Sequence, residues 1–374
     1  MKEIKRVIIK VGSSSLVLEN GKINIGIIDK IITTIDGLMK LNKDVVLVTS
    51  GAIAVGMGKL NIFKKPKSMA LKQACAALGQ ATLMNEYEKI ASNYNLLCAQ
   101  ILVNHDDFEN RNRMLNLSNT LEELFKNKIL PIVNENDALN VEEIKVGDND
   151  TLSSLLVPMI NCDLLVLASD IDGLYDKNPK QYNDAKKIDF VYTIDKSIDD
   201  MVGDITSNVG TGGMETKIKA ARIATHAGCN MAIISNNDID KISNIINGEK
   251  VGTLFISDKA MHSKEHWMVY NAYAKGSVIV DDGAKKALLE RKSLLPKGIK
   301  SVNGIFEENS VVFITDENNN IIGKGITNYS SKEIVSVIGK HSFEAKQILK
   351  SQKEEIIHAN LLVLIEGENY GKIK

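Results

Sequence analysis

Two acidic side chains flank an amide at Asp148-Asn149-Asp150, directly before the apolar run that opens near Thr151. One Asp or Asn suffices to cap a helix start, so the second carboxylate is surplus to capping and calls for company. It comes from Asn134-Glu135-Asn136-Asp137, a polar cluster that follows the apolar stretch Ile129-Leu130-Pro131-Ile132-Val133. Cations complete the set. Lys10 ends the run Val7-Ile8-Ile9 and precedes Gly12-Ser13-Ser14-Ser15, a small-residue turn whose backbone N–H groups can face phosphate oxygens. Gly210-Thr211-Gly212-Gly213-Met214-Glu215-Thr216-Lys217 is a glycine-rich loop entering a helical pattern with a lysine in its first turn. A cation there opposes the helix dipole, which is poor helix chemistry and good anion chemistry. Taken together, two lysines, two Gly/Ser turns and an Asp-Asn-Asp describe a nucleotide phosphate site beside a small polar substrate.

These residues need a scaffold that gathers them. Short continuous apolar runs at 7–11, 45–49, 98–102, 129–133, 164–168 and 231–234 read as strands buried on both faces, and segments of helical spacing such as 25–41, 68–92 and 116–127 lie between them. That alternation predicts an α/β fold, a mainly parallel sheet covered by helices on both sides. In such sheets the ligand sits beyond the carboxyl ends of the strands, which is where Lys10, Thr49-Ser50-Gly51-Ala52, Asn134 to Asp137 and Ser169-Asp170 fall. No segment has the Walker spacing, and Gly56-Met57-Gly58-Lys59 lacks the third glycine of a dinucleotide fingerprint, so a P-loop or Rossmann cofactor site is disfavoured.

At 374 residues the chain is long enough for two cores. Beyond about 257 the texture turns polar and irregular, and short strands recur at 277–280, 310–314 and 333–337, with Asn318-Asn319-Asn320 as a turn. The expected division is a first domain over 1–257, a linker over 258–273 and a small β-rich domain with a tail over 274–374. A net charge of −1 gives the whole molecule no electrostatic footprint for nucleic acid or anionic lipid. Four scattered cysteines without Cys-x-x-Cys pairing read as reduced thiols, and no apolar signal core or membrane-length run appears, so a cytoplasmic protein is expected.

The strand-lysine-glycine start, Val48-Thr49-Ser50-Gly51-Ala52, Val133-Asn134-Glu135-Asn136-Asp137, the run from Ile144 to Asp150 and Gly210 to Lys217 resemble the amino acid kinase superfamily, and within it the glutamate 5-kinases of proline biosynthesis. The stretch from Gly276 to about Leu349, with Asp281-Asp282-Gly283-Ala284 and Leu295-Pro296-Lys297-Gly298-Ile299, resembles a PUA domain. The resemblance implies ATP with Mg²⁺ as phosphoryl donor and L-glutamate as acceptor. It implies that Lys10 and Lys217 meet the transferring phosphoryl group and that Asp150 orients them, with Asp148 in the same turn. Ser50, Gly51, Asn134, Asp137 and Asn149 would hold glutamate, Asp137 taking its ammonium and Ser50 and Asn149 its carboxylates. Gly12, Ser169, Asp170 and the loop Thr211, Gly212, Gly213, Met214, Glu215, Thr216 to Lys217 would hold ATP. Where the family more often has Thr, this chain has Ser169, which keeps the hydroxyl. The likeness also implies proline as a feedback inhibitor, a glutamyl phosphate reductase downstream, and a homo-oligomer.

The chemistry agrees on independent grounds. A side-chain carboxylate of reference pKa about 4.3 is already ionised at neutral pH, so no general base is required and a site of lysines without histidine suffices. Asp148 and Asp150 must then pair with lysines or with metal, directly or through water, and the sequence leaves that open; no residue is assigned as a resident metal ligand. His262-Ser263-Lys264-Glu265-His266 fits a zinc pattern but has no evident third ligand. Arg111 and Arg113 among Asp106, Asp107 and Glu109 read as a solvated face or subunit contact. Two other functions stay in play: another small-molecule kinase of the superfamily, or an RNA-binding protein of PUA type, the latter disfavoured by a net of only +2 over 275–374, from 15 Lys and Arg against 13 Asp and Glu.

Overall fold

Alternating strands and helices build one sheet whose carboxyl edge collects the polar residues named above. The computed structural model describes residues 3–18, 20–64, 66–139, 148–179, 181–203, 213–257, 272–351 and 353–365. The chain divides into two compact units, Met1–Met261 and His262–Lys374. The first contains β1 (Arg6–Val11), β2 (Asp44–Val48), β3 (Cys98–Val103), β4 (Leu130–Glu135), β5 (Leu164–Ser169), β6 (Leu174–Tyr175), β7 (Lys187–Ile188), β8 (Phe190–Val191), β9 (Asn230–Ser235) and β10 (Thr253–Phe255). Eight of these form a sheet in the order β3-β4-β2-β1-β5-β9-β10-β8, and β6 pairs with β7 alone. From β3 to β9 every pairing is parallel; β10 runs antiparallel to β9. The six strands expected from the apolar runs are these six parallel ones. The chain leaves β1 for β2 on one side and reaches β5 on the other, so the crevice of such a sheet opens beyond the end of β1.

Period-two alternation along β1 decides which side chains reach that crevice. Val7, Ile9 and Val11 join a core with Ile28, Ile31, Ile32 and Ile35 of the helix Ile25–Lys40 and with Leu83 and Tyr87 of the helix Met69–Ser92. Ile8 and Lys10 therefore face the opposite side. There the helix Asn149–Leu156 packs on β1, β4 and β5 and against the helix Met214–His226. Each fully buried Val, Ile or Leu contributes about 1.5–3 kcal/mol, which in aggregate can hold a few buried charges in place.

Close helix contact positions the end of β2. A Cβ on Gly79 would lie 1.8 Å from the Ala52 carbonyl, and one on Gly56 would lie 1.9 Å from that of Cys75, so the helices Ala52–Lys59 and Met69–Ser92 touch backbone to backbone. Gly51, at φ +94°, makes the left-handed turn from β2 into the first of them.

The second unit holds β11 (Ser277–Val280), β12 (Ile299–Asn303), β13 (Val311–Thr315), β14 (Ile321–Ile326) and β15 (Leu362–Leu364), ordered β12-β11-β13-β14-β15 over a separate core that includes Val278, Val312, Ile314, Ile334 and Ile357. The strand expected over 333–337 is instead the helix Ser331–Val337. Ser330 accepts from Glu333 N while the Glu333 side chain takes the Ser330 N–H, a capping box that outweighs the β-branched residues behind it. The strand antiparallel to β13 is β14, which the sequence pattern did not reveal because Gly323 and Gly325 interrupt its apolar run.

Candidate functional site

Lys10, Asp150 and Lys217 come from three elements and meet away from water. Lys10 is 7% exposed, Asp150 fully buried and Lys217 3% exposed. Lys10 Nζ forms an ion pair with Asp150 Oδ1, and Lys217 Nζ donates to Asp150 Oδ2 at 3.0 Å. Thr216 Oγ1 donates to the same Oδ2 at 3.2 Å. Burial by itself pushes the Asp150 carboxyl up, but the charges and hydrogen bonds of Lys10 and Lys217 outweigh it and hold the group below the usual carboxylate range. Asp148 has the opposite fate: burial first, and the Asp150 charge second, raise its pKa. It is also the N-cap of the helix Asn149–Leu156, accepting from Asp150 N at 3.0 Å and from Thr151 Oγ1 at 3.2 Å. The two acids of the Asp-Asn-Asp thus divide the work, one capping and one bridging lysines.

Asn149 between them points to the end of β2. Its Nδ2 donates to Thr49 O at 2.6 Å, Ser50 Oγ at 2.8 Å and Asn134 Oδ1 at 2.9 Å, one of its two hydrogens being shared. Buried Thr49 is fixed from behind by the Tyr87 hydroxyl at 2.9 Å. Asn134 is 1% exposed and donates from Nδ2 to Gln80 Oε1 at 2.8 Å. Gln80, whose Nε2 donates to Gln100 Oε1 at 3.0 Å, escaped the sequence reading. It is a lone polar residue in the run Ala76-Ala77-Leu78-Gly79-Gln80-Ala81, and nothing local reports a partner 54 positions away.

Asp137 lies in the turn after β4, and burial pushes its carboxyl up to about 6. On the other side of β1, the register pairs Lys10 with Leu167 and Val11 with Ala168, so Ser169 stands two residues past the partner of Lys10, level with Gly12. Ser169 Oγ donates to exposed Asp170 at 3.0 Å and accepts from Ile171 N at 3.3 Å. Gly12 precedes a short turn of helix, and a Cβ on it would lie 3.8 Å from Lys10 Nζ. Gly213 is the N-cap of the helix Met214–His226, with nothing within 4 Å of where its Cβ would be; Glu215 is exposed and Met214 half-buried. Thr211 and Gly212, with Gly210, the run Ile144 to Gly147 and the His262 to His266 stretch, lie outside the described residues. Arg113 of the helix Arg111–Lys126 pairs at 2.8 Å with Asp107 of the short helix His105–Glu109, as an ordinary surface pair.

One family model, the amino acid kinase family, matches residues 5–235. The chain belongs to the amino acid kinase family. A second model, the PUA domain, matches residues 276–349. Among the curated relatives, a glutamate 5-kinase from a Thermoanaerobacter species is 43% identical over 98% of this chain and 100% of its own. One from Caldanaerobacter subterraneus subsp. tengcongensis is 44% identical with the same coverage, and one from Methanococcoides burtonii is 40% identical over 93% of both chains. A solved carbamate kinase from Giardia lamblia bound to AMP-PNP is similar in fold, with 19% identity and a TM-score of 0.50 over 69% of this chain and 100% of that one. Among the described residues, no helix is long and apolar enough to cross a membrane.

Proposed function

We infer that this protein transfers the γ-phosphoryl group of ATP to the side-chain carboxylate of L-glutamate, giving L-glutamyl 5-phosphate and ADP. The observation that carries the reaction type is the buried Lys10–Asp150–Lys217 bridge at the carboxyl ends of the strands; likeness to full-length glutamate 5-kinases supplies the acceptor. A carboxylate oxygen attacks the γ-phosphorus, the bond to the β,γ-bridging oxygen breaks, and ADP leaves with that electron pair. No proton moves. Transfer of this kind needs alignment and charge stabilisation rather than a base. Lys10 and Lys217 stabilise the equatorial and leaving oxygens, and Asp150 holds both ammonium groups in one place against their mutual repulsion.

Ser169, Asp170, Gly12 and the residues from Gly213 to Lys217 surround the nucleotide side, with Thr211 and Gly212 assigned by the family pattern alone. Ser50, Gly51, Asn134, Asp137 and Asn149 form the acceptor side. Among the described residues no group of three or more His, Cys, Asp or Glu is placed to hold a metal. Mg²⁺ retains water and binds through one or two carboxylates plus substrate phosphates. Asp150 is taken up by its lysines, leaving Asp148 as the carboxylate that would approach the ion, directly or through water. Bound with ATP, Mg²⁺ neutralises phosphate charge.

The product is an acyl phosphate, prone to hydrolysis, which suits a reductive step directly downstream in the cytoplasm. Proline shares the α-amino acid group and would compete with glutamate. The test is ADP release with ATP, Mg²⁺ and a panel of acidic amino acids, with hydroxylamine present to trap the product. Glutamate-dependent ADP with stoichiometric hydroxamate is the expected result; preference for aspartate, or ADP without hydroxamate, refutes it.

A further inference from the structure

Amide orientation on the acceptor side is decided by groups that can play only one part. The Glu135 N–H can only donate, so the Asn134 atom 2.9 Å away is Oδ1. Asn134 therefore turns Nδ2 toward Gln80 Oε1, and Gln80 turns Nε2 toward Gln100. At the other end, Asn134 Oδ1 and the Thr49 carbonyl can only accept, and both face Asn149 Nδ2. Asn149 is fixed with its nitrogen inward. Two consequences follow from that. Asn149 Oδ1 is buried and, among the described residues, has no hydrogen-bond donor. Ser50 Oγ accepts from Asn149 Nδ2, which cannot accept in return, so the Ser50 hydroxyl hydrogen stays free to donate elsewhere.

We propose that Gln80 is a positioning residue of the acceptor site: by accepting from Asn134 it locks an amide chain, Gln80–Asn134–Asn149, that presents Asn149 Oδ1 to a substrate ammonium and leaves the Ser50 hydroxyl for a substrate carboxylate. The inference rests on the glutamate reading above and refines it, because Asn149 becomes an acceptor for the ammonium and not a donor to a carboxylate. At neutral pH glutamate has one donor group, its ammonium, and two carboxylates that only accept. Asn149 Oδ1 and Asp137 match the first, and Ser50 one of the second. Without the Gln80 oxygen, Asn134 Nδ2 loses its buried partner, the amide chain loses its outer anchor, and Asn149 is no longer held to one orientation.

The test compares wild type with Gln80→Met, which keeps the length of the side chain without its polar atoms, and Gln80→Glu, which keeps an oxygen facing Asn134. Each is assayed for ADP release over glutamate and ATP concentrations, and with glutarate, the same diacid without an ammonium, in place of glutamate. Gln80→Met is expected to raise KM for glutamate about tenfold, the size of one lost buried hydrogen bond, with kcat and KM for ATP within about twofold. Its preference for glutamate over glutarate should fall by a similar factor, which a general loosening of the fold would not produce. Gln80→Glu should stay within about threefold of wild type in all of these. A folded Gln80→Met protein with wild-type KM and preference overturns the proposal, and so does a Gln80→Glu protein as impaired as Gln80→Met. If thermal melts show that Gln80→Met does not fold, Gln80→Glu decides: a shift in KM for glutamate beyond that threefold margin overturns it. Wild-type protein that releases no ADP with glutamate overturns the functional reading and the inference with it, and is seen before any variant is compared.

Discussion

Lys10 and Lys217 reach one carboxylate from positions 207 residues apart, the first at the end of a central strand and the second in the opening turn of a helix. Neither is a surface lysine with water as an alternative, so shortening either removes a preorganised cation that nothing mobile can replace. Lys10→Ala or Lys217→Ala is expected to lower kcat roughly 10²- to 10³-fold with the far-UV spectrum unchanged; near-wild-type turnover in a folded Lys217→Ala protein would take that residue out of the transition state. Asp137 makes a pH-dependent prediction. Its folded carboxyl, pushed up to about 6 by burial, lies above its unfolded value near 3.9, so its protonated form contributes stability that is lost as pH rises through about 6. Asp137→Asn should therefore raise Tm at pH 8, with the gain shrinking toward pH 4. It should also raise KM for glutamate far more than KM for ATP, and in the wild type KM for glutamate should climb as pH falls below about 6. Equal effects on both constants would make Asp137 structural. Asp150 carries the opposite sign: its folded pKa is depressed, so the stability it contributes is present above the unfolded value and is lost as pH falls through the folded one.

At the scale of elements, the approach of the helices Ala52–Lys59 and Met69–Ser92 sets where Ser50 and Gln80 stand. Gly79→Ala would place a methyl 1.8 Å from the Ala52 carbonyl, and the helices would have to part. The expected cost is about 1–3 kcal/mol in denaturant unfolding, as for overpacked cores, together with a raised KM for glutamate; an unchanged midpoint would show that the contact yields freely. The six parallel strands of the first unit were legible because each is a continuous apolar run bounded by polar residues, and so were the residues just past their ends; β6, β7, β8 and β10, only two or three residues each, were not. What single-sequence reading missed has more than one cause. β14 carries Gly323 and Gly325, and a Cβ at Gly323 would come within 2.4 Å of the Val363 carbonyl on β15, so a tertiary contact erased the local signal. The residues of the helix Ser331–Val337 were read by their side-chain types when the deciding feature was the Ser330–Glu333 cap. Gln80 and the inward face of Asn149 become visible only when the folded chain brings residues 80, 134 and 149 together.

For the molecule as a whole, each unit has its own buried cluster, one built on Val7, Ile9, Leu47 and Val166, the other on Val278, Val312 and Ile334. All of the site residues from Lys10 to Lys217 belong to the first unit. A chain ending at Ser257 is therefore expected to fold and to retain glutamate-dependent ADP release, since domains with separate cores fold independently; regulation and assembly are the properties that removal of the second unit would alter. The second unit also decides between the enzyme and an RNA-binding protein. Residues 275–374 carry a net of +2, and a protein that neutralises so few phosphates has a shallow dependence of affinity on salt. The isolated second unit should bind single-stranded RNA weakly in a filter or anisotropy titration, with little change between 50 and 200 mM salt, which are about the concentrations over which a protein making many phosphate contacts loses most of its affinity. Tight, steeply salt-dependent binding by that unit, alongside a silent kinase half, would reverse the assignment: the buried lysine bridge would then be a relic, and the nucleic acid the ligand.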